Sequence, residues 1–199
     1  MAINTEQIRS LRESTGAGMM DCKKALEETN GNTEKAVDYL RKKGAAVAAK
    51  RADRAAEQGV VEAYIHAGGR VGTLVEINCE SDFVARTEEF RALARDIAMQ
   101  VTAMNPMVVS REQLDQSILE RELDIYRTQA RNEGKPEPLV EKIAQGRLEK
   151  FFQEVCLIEQ TFIKDSGRTI RDLVNEAMAK TGERVSIRRF QRYYLGETT

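Results

Sequence analysis

Few side chains in this chain suit bond-making chemistry, and their spacing narrows the field further. His66 is the only histidine among 199 residues. A Ser-His-Asp triad or a histidine-based metal site would have to be built around it alone. No Asp or Cys flanks it at ligand spacing, and it reads as a surface residue at a hairpin end. Cys22, Cys79 and Cys156 are odd in number and far apart, with no CxxC pair. Neither a disulfide framework nor a zinc knuckle follows from them. Gly68-Gly69-Arg70-Val71-Gly72-Thr73 lacks the GxxxxGK[ST] spacing and reads as a turn rather than a phosphate cradle. No metal site and no cofactor is expected, and the chain does not read as an enzyme.

Residues suited to contact are better represented. Ser81-Asp82-Phe83-Val84 places an acid beside an aromatic. In one reading Ser81 or Asp82 caps a helix and Phe83 joins the core. In the other the four residues form a projecting tip that enters a partner. Met19 and Met20 are adjacent on one helix, so at most one points fully inward. The other is either loose core packing or an adaptable exposed contact. Arg184, Arg188, Arg189 and Arg192 lie close to Phe190, Tyr193 and Tyr194 near the C-terminus. They either clamp and stack RNA or form the solvated face of a strand.

Charge separates those last two readings. The 31 Lys+Arg against 32 Asp+Glu leave a formal net charge of -1, which argues against a nucleic-acid partner. Trp is absent and aromatics make up 6%, too few for a stacking platform. Hydrophobic residues at 41% allow a core, and charged residues at 32% allow a well-solvated surface. No apolar run approaches the ~20 residues that span a bilayer, and Met1–Gln7 holds no apolar signal core. A cytoplasmic protein without a membrane partner is expected.

The elements that carry these residues follow from periodicity. Asn4 caps a first helix with Gln7 as its capping-box partner, and Ile8 and Leu11 share one face. Thr15-Gly16-Ala17-Gly18 breaks it. A second helix carries Met19, Cys22 and Leu26 as one stripe and ends at Asn30-Gly31. Asn32 caps a third, with Ala36, Val37 and Leu40 inward and Gly44 just past its end. Residues 45–56 are rich in alanine, and Arg41–Arg54 holds Arg41, Lys42, Lys43, Lys50, Arg51 and Arg54 against Asp53 alone. This reads as a basic linker helix, ended by Gly59.

The period then changes. Val60–His66 and Val71–Cys79 flank Ala-Gly-Gly as a hairpin. A helix from about Thr87 to Met104 stops at Asn105-Pro106. Ser110-Arg111-Glu112-Gln113 matches a capping box. Helices are expected over Ile118–Asn132, from Val140 to Phe151, and from Thr169 to Gly182. Val155–Ile163 is expected to be extended, and Arg184–Leu195 a last strand. The expected fold is α+β: a helical module over 1–44, a linker helix over 45–56, and a core over 57–199. That core has a small antiparallel sheet of about three strands packed with helices.

Leu11-Arg12-Glu13-Ser14-Thr15-Gly16-Ala17-Gly18-Met19-Met20-Asp21-Cys22-Lys23-Lys24-Ala25-Leu26 resembles the N-terminal signature of the bacterial translation elongation factor Ts family. Asn78-Cys79-Glu80-Ser81-Asp82-Phe83-Val84-Ala85-Arg86 resembles its second signature, with Ser81 where the family usually has Thr. Gly134-Lys135-Pro136 and Gly146-Arg147-Leu148 also match in place, so the resemblance covers the whole chain. It implies a guanine-nucleotide exchange factor that releases GDP from elongation factor Tu. It implies a ubiquitin-associated-like N-terminal module touching Tu through Leu11, Met19 and Met20. It further implies that Ser81, Asp82, Phe83 and Val84 form a tip that disturbs the magnesium and phosphate site of Tu. Long family members carry two core subdomains and a helical-hairpin insertion. This chain is similar to the short, single-core form, for which a homodimer is implied. An RNA-binding module and a small enzyme remain the competing classes.

Overall fold

The computed structural model describes residues 3–197. Met1 and Ala2, part of the stretch read above for a signal core, lie outside the described residues. The chain forms eight α-helices among the described residues: α1 (Thr5–Thr15), α2 (Met19–Glu28), α3 (Thr33–Arg51), α4 (Asp82–Ala85), α5 (Glu88–Met104), α6 (Gln116–Asn132), α7 (Glu137–Val155) and α8 (Ile170–Thr181). Its strands are β1 (Gln58–Ile65), β2 (Val71–Cys79), β3 (Thr161–Phe162), β4 (Asp165–Thr169) and β5 (Ser186–Tyr194). β1, β2 and β5 form a small antiparallel sheet in the order β1-β2-β5, and β3 pairs with β4. The expected α+β class is therefore observed. Among the described residues no helix is long and apolar enough to cross a membrane.

Two compact units result. One holds the chain up to Glu62 together with Val75–Asp96 and Arg171–Arg188; the other holds Ala63–Leu74, Ile97–Ile170 and the chain from Arg189.

In the first unit the N-terminal helices close as their caps dictate. The Asn4 side chain accepts from the Gln7 amide at 2.7 Å, and Gln7 accepts in return from the Asn4 amide at 3.2 Å. Leu11, Cys22, Ala25, Leu26 and Ala36 then form a small buried core with Ile8, Val37 and Leu40 packed against it. Gly44 does not end α3, contrary to expectation. A helix interior tolerates one glycine at a cost of about 1 kcal/mol relative to Ala, and the alanines that follow carry the helix to Arg51. The linker helix expected over 45–56 is thus the second half of α3, followed by a turn. Gly59 does not end a helix either; it sits in β1 with φ 154°, where a Cβ would collide with the Ile77 carbonyl of β2. Val75, Ile77, Phe90, Leu173 and Val185 are buried in this same unit.

In the second unit α6 and α7 form an antiparallel helical hairpin, a feature present in this short chain. Arg127–Glu141, Arg131–Glu137 and Arg147–Glu133 pair across it at 2.7, 2.9 and 2.7 Å. The capping box expected at Ser110 is not formed. Ser110 makes no side-chain cap, Gln113 accepts from the Val109 amide instead, and Arg111–Gln113 is a single 3₁₀ turn. Asp115 caps α6. The segment expected to be extended over Val155–Ile163 is broken up: Val155 is the last residue of α7, Cys156 bridges to Val108, Leu157–Glu159 is a second 3₁₀ turn, and Thr161–Phe162 is strand. Buried Gln100 ties this region together. It donates to Gln160 Oε1 at 3.1 Å and to the Thr161 carbonyl at 3.0 Å, and accepts from the Ile163 amide at 2.9 Å.

Candidate partner-binding tip

β2 ends at Cys79, and the chain turns through Glu80 and Ser81 into the four-residue helix α4. Ser81 is extended (φ -126°, ψ 153°), and its Oγ accepts from the Val84 amide at 3.3 Å, an N-cap. The Cys79 thiol donates to the Ser81 carbonyl at 3.1 Å, and burial pushes its pKa upward, which keeps the proton on sulfur.

Glu183 holds the turn from outside. Its Oε2 accepts from the Glu80 and Ser81 amides at 3.1 and 3.0 Å, and its Oε1 accepts from the Ser81 hydroxyl at 2.5 Å. Glu80 answers by accepting from the Arg184 amide at 2.6 Å, the main reason its carboxyl lies below the ordinary carboxylate value, with Arg54 at 3.4 Å as a further cause. Arg184 also donates to the Arg54 carbonyl.

On this mount Phe83 is 79% exposed, whereas Val84 is 7% exposed. The two sequence readings each supply part of the result. Ser81 is a helix cap, but Phe83 does not join the core. Val84, expected at the partner-facing tip, is buried instead, because α4 turns that side toward the unit's core. Asp82 is exposed and paired with Arg86 one turn on, at 2.7 Å.

The N-terminal module divides similarly. Leu11, expected to touch a partner, is fully buried and packs the module core. Met19 and Met20 are 42% and 72% exposed at the start of α2, so neither is core. Asp21 beside them is paired with Lys43 of α3 at 2.5 Å.

The other sequence candidates are occupied locally. Gly68 and Gly69, at φ 88° and 66°, make the hairpin turn, with the Gly69 amide donating to the His66 carbonyl. His66 is exposed, and its Nδ1 lies 3.3 Å from the Tyr64 hydroxyl. In the first unit Arg188 pairs with Glu76. In the second, Arg192 donates to the Thr102 carbonyl, pairs with Glu197 and lies over the Tyr194 ring.

Two features escaped sequence reasoning. Glu183 contacts Ser81 across 102 positions and carries no local signature. In the second unit, Ala63, Ile65, Leu74, Tyr193 and Leu195 line an apolar groove of about 390 Å³. Strand alternation would have placed these side chains on one face but not left that face uncovered.

Phe83 on α4 and Met19 and Met20 at the start of α2 are the exposed apolar side chains of this unit's helix starts, the kind of surface through which one macromolecule contacts another. The family model described as elongation factor TS matches residues 6–197. The elongation factor Ts of Moorella thermoacetica is 60% identical over 195 residues, covering 98% of this chain and 96% of that protein. Those of Carboxydothermus hydrogenoformans and Geobacter sulfurreducens are 60% and 55% identical, covering 98% and 99% of this chain and 90% and 91% of theirs. The chain belongs to the elongation factor Ts family.

Proposed function

We propose that this chain is a guanine-nucleotide exchange factor for elongation factor Tu, and that the Asp82–Phe83 tip promotes GDP release. Family membership supports the choice of partner. The observation that carries the mechanism is Phe83, an aromatic 79% exposed on a turn fastened at both its cap and its preceding strand. Exposing such a ring is unfavourable unless a partner covers it.

Exchange forms no covalent bond and requires no nucleophile or acid–base pair. GDP and magnesium in a GTPase are held by phosphate charge and backbone donors. A partner loosens them only by binding the nucleotide-free form better than the loaded form. By reciprocity nucleotide weakens the factor's binding by the same amount, so the complex is transient. In this reading Phe83 is the apolar wedge, and Met19 and Met20 dock the N-terminal module on Tu. Asp82 exchanges Arg86 for groups at the magnesium site. A carboxylate is repelled by phosphate oxygens, so it acts on the metal's ligands or the local backbone.

We propose also that the chain works in the cytoplasm as a homodimer, without a nucleic-acid or membrane partner. Ile65, Leu74, Tyr193 and Leu195 are 72%, 46%, 61% and 63% exposed around one groove. A second copy would cover this apolar surface through an isologous contact.

Release of labelled GDP from purified Tu, with and without the chain, tests the reading. Acceleration is expected, with no turnover of any substrate when Tu is omitted. Asp82→Ala should lower the maximal release rate more than it weakens complex formation. No acceleration by the unaltered chain would end the proposal.

A further inference from the structure

We propose that Glu183 is a positioning residue for nucleotide exchange: it touches no part of the partner but fixes the turn that presents Phe83 and Asp82. This rests on the exchange reading above and assigns a residue that neither signature contains.

The geometry is specific. One carboxylate takes three hydrogen bonds from two consecutive residues of the turn, the Glu80 and Ser81 amides and the Ser81 hydroxyl. These two amides precede α4 and have no partner within its helical ladder. Orienting the Ser81 hydroxyl toward Glu183 leaves its lone pairs facing the Val84 amide, so the clamp and the N-cap are one chain of bonds. Its neighbour Arg184 returns a bond from its own amide to Glu80, so the segment after Gly182 and the tip hold each other.

The apolar anchoring of α4 comes from Val84 and Ala85, at 7% and 5% exposure. Both lie at its C-terminal half. Without Glu183 the turn into α4 loses the acceptor for both its amides and its hydroxyl, and the end bearing Asp82 and Phe83 keeps the Ser81 cap, the Cys79 thiol contact, the Glu80–Arg184 bond and the exposed Asp82–Arg86 pair. The tip would then sample several orientations, and the ordering would fall on the binding step.

Glu183→Ala removes all three acceptors. Glu183→Gln keeps a carbonyl for the two amides and an amide that donates to Ser81 Oγ, so it rescues the mount. Glu183→Asp keeps the charge but shortens the reach, and serves if the alanine variant does not fold. GDP release from Tu is measured for the unaltered chain, these variants, Phe83→Ala and Phe83→Ala/Glu183→Ala, each normalised to folded protein by circular dichroism.

The expected result is a loss of at least fivefold for Glu183→Ala or Glu183→Asp. Glu183→Gln should stay within twofold of the unaltered chain, and Glu183→Ala should lose less in the Phe83→Ala background than in the unaltered chain, the remainder being its effect on Asp82. Faster amide hydrogen exchange at Glu80, Ser81 and Val84 should accompany the loss. The inference is overturned if Glu183→Ala or Glu183→Asp exchanges normally per folded molecule, or if the two losses multiply independently. Failure of the unaltered chain to accelerate release would instead sink the exchange reading itself, and normal release by Phe83→Ala would sink the tip.

Discussion

The Arg51 guanidinium donates to the Met178 carbonyl at 2.8 Å, fastening the last turn of α3 to α8 across 127 positions. Two further contacts point the same way. The α3 backbone at Gly44 approaches Asn175 of α8, and the Lys180 side chain lies over Gly16 at the end of α1. A cation there also faces the carbonyl end of the α1 dipole. The first three helices are therefore built into the first unit rather than tethered to it by a free linker.

Deleting residues 1–56 should accordingly do two things. The remaining chain should fold but melt several degrees lower, at roughly 2–4 °C per kcal/mol lost for a chain of this size. GDP release from Tu should fall at least tenfold, because Met19 and Met20 are gone. Circular dichroism melts and release rates on the truncated chain check both. Full activity would remove the docking role of the module.

Phe83 and Val84 are adjacent in sequence and opposite in consequence. Phe83→Ala should leave stability within about 0.5 kcal/mol, as for other surface changes. It should nevertheless cut exchange by the ~2–4 kcal/mol typical of a lost aromatic anchor. Val84→Ala empties part of a core and should cost roughly 2 kcal/mol of fold stability, with exchange per folded molecule unchanged. Thermal melts beside stopped-flow release distinguish the two. The reverse pattern would mean that Val84, not Phe83, faces Tu.

Local signals in the sequence predicted local structure well. Asn4 and Gln7 are three positions apart, and their capping box forms as expected. Propensity failed where neighbours outweighed it: Gly44 looked like a stop, but the alanines beyond it and the packing on α8 keep α3 helical. At Ser110 the pattern was right for a cap, yet Gln113 found the Val109 amide instead. β4, Asp165-Ser166-Gly167-Arg168-Thr169, has no apolar alternation, so its sequence carries no strand period. At Ser81–Val84 the local sequence carries the helix cap at Ser81, but not which of the following side chains faces out. That depends on how Glu183, about a hundred positions away, holds the turn.

The groove bounded by Ile65, Leu74, Tyr193 and Leu195 gives the homodimer proposal its own test. Light scattering at micromolar concentration should give a mass near twice 22.4 kDa. A Leu74→Glu/Tyr193→Glu variant should fall to 22.4 kDa with its circular dichroism unchanged, because both side chains are exposed in the single chain. Reducing agent should leave the dimer intact, since Cys22, Cys79 and Cys156 are all buried. A single-chain mass for the unaltered protein would count against the proposal.

Acid should destabilise the fold by protonating carboxylates that arginines and a backbone amide hold ionised. Hydrogen bonds from Arg147, Arg131, Arg127 and Arg111 hold Glu133, Glu137, Glu141 and Glu149 below their ordinary value of 4.5, and the Arg184 amide does the same for Glu80. A carboxyl whose folded pKa lies below its unfolded one binds protons more readily when unfolded. Its contribution is therefore fully present above the ordinary value and is lost as pH falls through the lowered one. The melting temperature should be nearly flat from about pH 8 to pH 5 and drop below about pH 4.5. These groups are largely exposed, so the drop should shrink in high salt. Arg147→Ala frees Glu133 and should flatten the acid limb while lowering the neutral plateau slightly. Melts of both proteins across this range check the assignment, and an acid limb unchanged by Arg147→Ala would place the proton uptake on the other carboxylates.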